Sequence, residues 1–310
     1  MNILVTGANG QLGRCIRAIN VAYGEILFDD FNYIYSSKYG GAEPDGTFVH
    51  PLDITDLEDI RKFVDDYKID FIINCAAYTN VDGAESDEES ARSINVDGAR
   101  NLAIAMKERG GWLVHISTDY VFGGGQQSVP YTEDDVPSPL GVYGKTKLEG
   151  EKAIQEVDGN HVIIRTSWLY SEFGNNFFKT MAYLISHKDE IKVVCDQVGT
   201  PTYARHLAKL IVRDIVYKPV KGIYHFSDNG VCSWFDFAMA IRDKMMPNNP
   251  CSIKPCRSSE FPSKVTRPSY SVLDKSHLKE TFDCIVPYWM DGVTECADRY
   301  LDIAIKKMTY

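Results

Sequence analysis

The chain has 310 residues, enough to bury a sizeable core in one large or two modest domains. Its 43 acidic against 33 basic residues leave a net charge of -10, which argues against nonspecific nucleic-acid binding and against an anionic membrane surface. No run approaches the length of a transmembrane helix and the N-terminus opens directly into a strand-like segment, so a cytoplasmic protein with a small-molecule partner is expected.

Asn2 to Thr6 is a short apolar run of β-formers, followed at once by Gly7-Ala8-Asn9-Gly10-Gln11-Leu12-Gly13 and a helical pattern through Ile19. Strand, glycine turn and helix is the context in which such a fingerprint holds a dinucleotide. Gly7 permits the tight turn, Gly10 lets the backbone approach a pyrophosphate, and Gly13 allows close helix packing, with the helix N-terminus facing the negative charge. The spacing is Gly-x-x-Gly-x-x-Gly and departs from the commoner Gly-x-Gly-x-x-Gly.

Asn32 to Ser36 reads as a second strand leading into Ser37-Lys38, with an exposed loop from Gly40 to Gly46. Serines and a lysine suit a ribose 2′-phosphate and favour NADPH; Asp29 or Asp30 would be the acid of an NADH site if the strand ends earlier. Val49 to Leu52 is a third strand that places Asp53 against an adenine ring, and Thr55-Asp56-Leu57-Glu58 is a capping box opening a helix to about Tyr67. Asp70 to Ala77 is almost continuously apolar, as in a strand buried on both faces, and its small Ala76 and Ala77 would let a cofactor lie close. An acidic, solvated stretch from Asp82 to Glu89 precedes a helix from Ser93 to Glu108.

Trp112 to Ser117 is the next strand and delivers Thr118-Asp119-Tyr120 to the carboxyl edge of the sheet, where open α/β sheets bind ligands. Gly123 to Gly125 and the segment from Pro130 to Pro139 form a mobile loop, then comes a helix carrying Tyr143 and Lys147, then a strand from His161 to Arg165 ending in Thr166-Ser167-Trp168. This rhythm implies a doubly wound, Rossmann-like parallel sheet. Beyond Tyr170, short strands at Lys192 to Val194 and Gly222 to Phe226 and helices at Ala204 to Tyr217 and Trp234 to Met245 read as a smaller mixed α/β substrate lobe. A dinucleotide-binding domain over residues 1–165, with later returns of the chain, and a lobe mainly over 166–310 are expected.

Tyr143 and Lys147, four apart, share a helix face. An ammonium beside a phenol favours the phenolate and lowers a pKa ordinarily near 10, at about 1.4 kcal/mol per unit. Taken alone, the spacing is as readily an exposed helix face. The cysteines at 15, 75, 195, 232, 251, 256, 284 and 296 contain no Cys-x-x-Cys and read as free thiols; the histidines form no metal-like cluster, and no metal is expected.

Together, the glycine fingerprint, Ser117-Thr118 at a strand end, Tyr143-Gly144-Lys145-Thr146-Lys147, Asn95-Val96-Asp97-Gly98 and Arg100-Asn101-Leu102 resemble the extended short-chain dehydrogenase/reductase family. Leu52 to Asp56, Asn74 to Thr79, Ser117 to Phe122, Arg165 to Trp168, Gly199 to Thr202 and Arg267-Pro268 are similar to its reductases of dTDP-linked 4-keto sugars, and the likeness fades after about Asp274. The resemblance implies reduction of a C4 ketone on a nucleotide sugar by NADPH, with NADH as the alternative. It makes Tyr143 the acid, has Lys147 lower the Tyr143 pKa and bind the nicotinamide ribose, and sets Thr118 on the carbonyl oxygen or the phenol. Cofactor contacts are implied for Gly7, Gly10, Gln11, Leu12, Gly13, Ser36, Asp53, Ile54, Ala76, Ala77, Tyr78, Tyr143 and Lys147. Substrate contacts are implied for Thr118, Asp119, Trp168 and Arg267, the last with Lys264 on the diphosphate.

Two departures inform the reading. Relatives with a magnesium-bridged dimer carry a Glu two residues after the last fingerprint glycine, where this chain has Cys15, so no magnesium requirement is expected and the chain is a monomer or a homodimer. Sugar-nucleotide dehydratases present Thr-Asp-Glu at the strand end, and Tyr120 here replaces the second acid. An epimerase that retains NAD, or a non-catalytic regulatory subunit similar to the beta subunit of methionine adenosyltransferase, are the other readings; intact Thr118, Tyr143 and Lys147 favour an enzyme.

Overall fold

Hydrophobic residues on both faces of successive short strands build the central layer. The computed structural model describes residues 1–23, 31–125, 127–261 and 263–308. The strands of its large sheet are β1 (Asn2–Thr6), β2 (Asn32–Ser37), β3 (Gly41–Ala42), β4 (Phe48–Pro51), β5 (Phe71–Asn74), β6 (Trp112–Thr118), β7 (Asn160–Thr166) and β8 (Gly222–His225). They pair in the order β8-β7-β6-β5-β1-β2-β4-β3, and every neighbouring pair is parallel except β3 with β4.

Alternate side chains of a strand point to opposite faces. Ile3, Val5, Ile73, Val114 and Ile164 therefore pack on one side, under Leu12, Ile16 and Ile19 of α1 (Gln11–Tyr23). Leu4, Ile72, Leu113 and Ile163 pack on the other. There they meet Ile60 and Val64 of α2 (Leu57–Asp66), Leu102 and Met106 of α3 (Ala99–Arg109) and Ile154 of α4 (Val142–Val157). Each such side chain contributes about 1.5–3 kcal/mol by burial, and the two covered faces make a doubly wound three-layer fold.

A second core gathers Tyr170, Phe178 and Ile185 with Tyr203, Phe237, Ile241 and Val293. It lies between α5 (Phe177–His187), α7 (Trp234–Met245) and α8 (Trp289–Met308), the first two joined in sequence by α6 (Ala204–Leu210). A parallel pair formed by Glu190–Val194 and Ser252–Cys256 covers it.

Several sequence expectations are corrected. Asp56 rather than Thr55 caps α2, accepting from the Asp59 N–H at 3.0 Å, while the Thr55 hydroxyl is turned to Asp53 at 2.8 Å. The helix expected from Ser93 to Glu108 opens with a π-helical turn, Ser93–Gly98, before α3. The turn aims the Asn95 carboxamide at the Tyr78 backbone and the Thr146 hydroxyl, tying it to α4. The strand expected in the substrate lobe at Gly222 joins the edge of the large sheet beside β7, and α6 packs on the α1 side of that sheet, because Leu207 and Ala208 match its apolar face. The loop from Pro130 to Pro139 is pinned: Tyr131 stacks on Phe122 with ring centroids 4.3 Å apart and donates its N–H to the Val272 carbonyl at 2.8 Å. Asp29 and Asp30 lie outside the described residues. All eight cysteines are free thiols, and among the described residues no helix is long and apolar enough to cross a membrane.

Candidate active site

From β1 the chain passes to β2 on one side, whereas β5 flanks β1 on the other. At such a switch point the connections diverge and leave a crevice at the carboxyl edge of the strands. Here a cleft of about 750 Å³ opens, walled by residues from the glycine turn, the ends of β2, β5, β6 and β7, and α4.

At one end lies the glycine turn. Gly7 adopts φ +61°, and a Cβ there would sit 2.5 Å from the Ala76 nitrogen; only glycine lets β1 end so close to the strand beside it. A Cβ on Gly13 would lie 2.6 Å from the Gly7 carbonyl oxygen, so this glycine seats α1 on its own turn. Gly7, Gly10, Gln11 and Leu12 line the cleft, as do Asp53, Ile54, Ala76 and Ala77, while Gly13 lies behind the turn. Ser36 and Tyr78 are not on the wall: the Ser36 side chain is buried, and the backbone of Tyr78 is held by Asn95. Their neighbours Ser37, Lys38 and Thr79 line it instead, as the alternation of β2 requires. Lys38 pairs with Asp53 at 2.8 Å and thereby holds that carboxyl below its usual range.

The middle of the cleft carries Thr118, Tyr143 and Lys147. Burial raises the Tyr143 phenol above its ordinary value, opposed by its hydrogen bond with Thr118. The expected lowering by Lys147 is not found. The Lys147 ammonium is fully buried and turned toward the sheet, 2.7 Å from the Ile116 carbonyl oxygen and 3.3 Å from His115 Nε2. Burial lowers it to about 8, against the opposing charge of Glu151. The Tyr143 phenol therefore keeps its proton at neutral pH. Behind it, Glu151 receives Arg165 Nη2 at 2.8 Å and the Ser117 hydroxyl, a buried ion pair with both side chains at most 3% exposed.

At the far end, Asp119 lines the cleft, and its Oδ2 has no hydrogen-bond partner. Burial raises its carboxyl to about 7 despite bonds from Ser271 and Thr118. Tyr120, which stands where a second acid would be, is pushed up to about 12 by burial. Trp168 holds φ +47°, a left-handed conformation costing a bulky residue about 1–2 kcal/mol. It is kept there by Trp234, stacked at 3.6 Å and 9°, and by Gly199, whose Cβ would lie 2.6 Å from the indole. Arg267 lines the cleft, donating to Asp82 at 3.1 Å and to the Tyr120 hydroxyl at 3.4 Å, whereas Lys264 is exposed and off the wall.

Sequence reasoning missed Trp234 and the wall segment Gly174-Asn175-Asn176. The latter is bound to the glycine turn: Gln11 Oε1 accepts from Ser171 Oγ at 3.1 Å and from Asn176 Nδ2 at 2.8 Å, and Asn176 caps α5. An N-cap motif was the one available signal. Cys15 is buried in α1, its thiol pushed well up by burial and by the Glu172 carboxylate; a protonated thiol is no ligand for magnesium, which takes oxygen. Among the described residues no group of three or more His, Cys, Asp or Glu is placed to hold a metal ion.

The family described as RmlD substrate binding domain matches residues 1–302. A protein of Aggregatibacter actinomycetemcomitans named dTDP-4-dehydrorhamnose reductase is 39% identical over 292 residues, covering 90% of this chain and 92% of that one. The crystal structure of a dTDP-4-dehydrorhamnose reductase from Clostridium acetobutylicum superimposes with a TM-score of 0.85 at 40% identity, over 96% of this chain and 99% of that one. The Bacillus anthracis dTDP-4-dehydrorhamnose reductase, solved in complex with NADP, gives 0.81 at 36%, over 95% and 98%.

Proposed function

The chain belongs to the RmlD substrate binding domain family, and from that membership we propose that it is an NADPH-dependent oxidoreductase that reduces the C4 keto group of dTDP-4-dehydro-L-rhamnose to dTDP-L-rhamnose. The observation that carries the reading is the placing of Tyr143, Thr118 and Lys147 in one cleft with the Gly7 to Leu12 turn.

The residues fit a dinucleotide with a 2′-phosphate. Gly7 lets the turn close against Ala76 at the cleft, the α1 N-terminus faces the pyrophosphate, and Ser37 and Lys38 stand where an acid would mark NADH. When bound, NADPH supplies the hydride to C4. Tyr143 passes its phenolic proton to the C4 oxygen, so charge does not accumulate there. Thr118 Oγ1 holds the phenol and the oxygen in line. Lys147, on the cleft wall and lowered to about 8 by burial, binds the ribose. The free Oδ2 of Asp119 accepts from a sugar hydroxyl, the Trp168 face packs on the ring, and Arg267 receives the diphosphate. Tyr120, a neutral and half-buried phenol, offers no second base for a dehydration. Residues 1–165 with β8 make the cofactor domain and most of 166–310 the substrate lobe.

The test is Tyr143→Phe followed by NADPH absorbance with dTDP-4-dehydro-L-rhamnose. Turnover should fall by about 10²-fold or more, in keeping with general acid catalysis, while NADPH binding persists. Unchanged turnover would remove Tyr143 as the acid.

A further inference from the structure

A row of buried polar groups runs behind the cleft from β1 to α4. Thr6 Oγ1 donates to Asn74 Oδ1 at 2.6 Å, Asn74 Nδ2 lies 3.0 Å from His115 Nδ1, and His115 Nε2 lies 3.3 Å from Lys147 Nζ. Thr6, Asn74, His115 and Lys147 are all within 1% of full burial.

One fixed donor sets the direction of the whole row. The backbone N–H of Ala76 donates to Asn74 Oδ1 at 3.1 Å, so the carboxamide oxygen must face Ala76 and the NH₂ must face the imidazole. An NH₂ has no lone pair to offer; His115 Nδ1 must therefore accept. A neutral imidazole that accepts at Nδ1 carries its proton on Nε2, the nitrogen that faces Lys147. A doubly protonated ring would oppose Asn74 with N–H against N–H and add a charge beside an ammonium. That form is disfavoured at both ends.

We infer that His115 is a positioning residue for the reduction: locked as the Nε2–H tautomer by Asn74, it points a donor at Lys147 Nζ and thereby weakens that amine's hold on its third proton. The inference rests on the reading of Tyr143 and Lys147 as the reducing pair. An amine accepts from Nε2–H only through a lone pair, which the ammonium lacks. The protonated lysine keeps the Ile116 carbonyl as acceptor and is left with an N–H facing an N–H.

The other groups around Lys147 divide by sign. Glu151, one turn further along α4, favours the ammonium, but Arg165 from β7 and the Ser117 hydroxyl from β6 claim its oxygens. Tyr143 on α4 is neutral, and Asp119, on the turn beyond β6, acts on the phenol. Burial lowers His115 far below its ordinary value, and the Lys147 charge lowers it further, so the ring remains neutral throughout the working range. Lys147 itself is lowered to about 8, so its proton is exchangeable near neutrality. A lysine so poised, on the same cleft wall as Tyr143, can release a proton toward the Tyr143 phenolate after each turnover and take its replacement from solvent.

Two measurements test this. In ¹⁵N-histidine-labelled wild-type protein, His115 should show an unprotonated Nδ1 and a protonated Nε2; the opposite tautomer overturns the inference. In parallel, the alkaline limb of kcat/KM for NADPH-dependent reduction is compared in wild type, His115→Gln and Asn74→Asp. The glutamine removes the ring N–H that faces Lys147. The aspartate takes a proton contact from Nδ1–H and turns Nε2 into an acceptor. Both changes should move the limb upward by about half a pH unit or more. A limb unmoved in folded variants overturns the inference while leaving the reduction itself intact; a Tyr143→Phe protein that still turns over instead overturns the reading on which it rests.

Discussion

Arg165→Met isolates the buried ion pair behind Lys147. In the native protein the guanidinium meets Glu151 through Nε at 3.1 and 3.2 Å and Nη2 at 2.8 Å, touches His225 Nε2 at 3.3 Å and lies over the Phe122 ring at 5.2 Å. Methionine fills much of the same volume and keeps the contact with Phe122, but it leaves the Glu151 carboxylate, 1% exposed, with only the Ser117 hydroxyl. Stranding one partner of a buried pair costs about 3–5 kcal/mol. At roughly 2.1 cal/mol/K per residue, a 310-residue chain has an unfolding entropy of about 0.65 kcal/mol/K, so the midpoint should fall by about 5–8 °C in a thermal melt. The double variant Glu151→Leu/Arg165→Met removes the stranded charge and should recover most of that loss, since apolar replacements of buried pairs are often neutral or stabilising. A single-variant loss below about 1 kcal/mol, or a double variant no more stable than the single, would refute the assignment of the cost to an uncompensated charge.

Gly7→Ala forces a left-handed φ of +61° on a residue with a Cβ 2.5 Å from the Ala76 nitrogen; the turn should shift and NADPH affinity should fall by about tenfold or more, read by fluorescence titration, with about 1–2 kcal/mol of strain as the floor. Lys38→Ala removes the cation at the end of β2, and the ratio of kcat/KM for NADPH over NADH should fall by about tenfold, the worth of one charge-assisted contact. His206 lies between Asp228 at 3.0 Å and Glu295 at 3.4 Å; burial disfavours its imidazolium, yet the two carboxylates outweigh burial and raise it to about 9. A folded value above the unfolded one, about 6.5, contributes stability that is complete below pH 6.5 and is lost as pH rises toward 9. His206→Gln should therefore be less stable than wild type at pH 6 and approach it at about pH 9.5 in urea denaturation.

What the sequence reveals of this protein depends on how local the signal is. The fingerprint from Gly7 to Gly13, the apolar run of β5 that delivers Cys75 to Ala77 to the cleft, and the four-residue spacing of Tyr143 and Lys147 are all encoded within a few residues. Strand ends were harder to read, because one residue of register exchanges a buried side chain for one on the wall: Ser36 for Ser37. The sense of the Tyr143 shift was not legible at all. Spacing brings the ammonium to the right helix face, but the Ile116 carbonyl and His115, thirty-odd residues earlier in the chain, decide where it points. β8 is a later return of the chain to the large sheet, and a short strand so far along carries nothing to say which sheet it extends. Trp234 reaches the cleft only because it opens α7 beneath Trp168, a meeting of residues 66 positions apart that no local pattern records.

Gln11 begins the helix that faces the dinucleotide, and its single carboxamide oxygen also receives the residue that caps α5 in the second core. Two separately built cores thus share one short side chain as their gauge block. A change at this one carboxamide would therefore be felt at once by the glycine turn and by the first turn of α5.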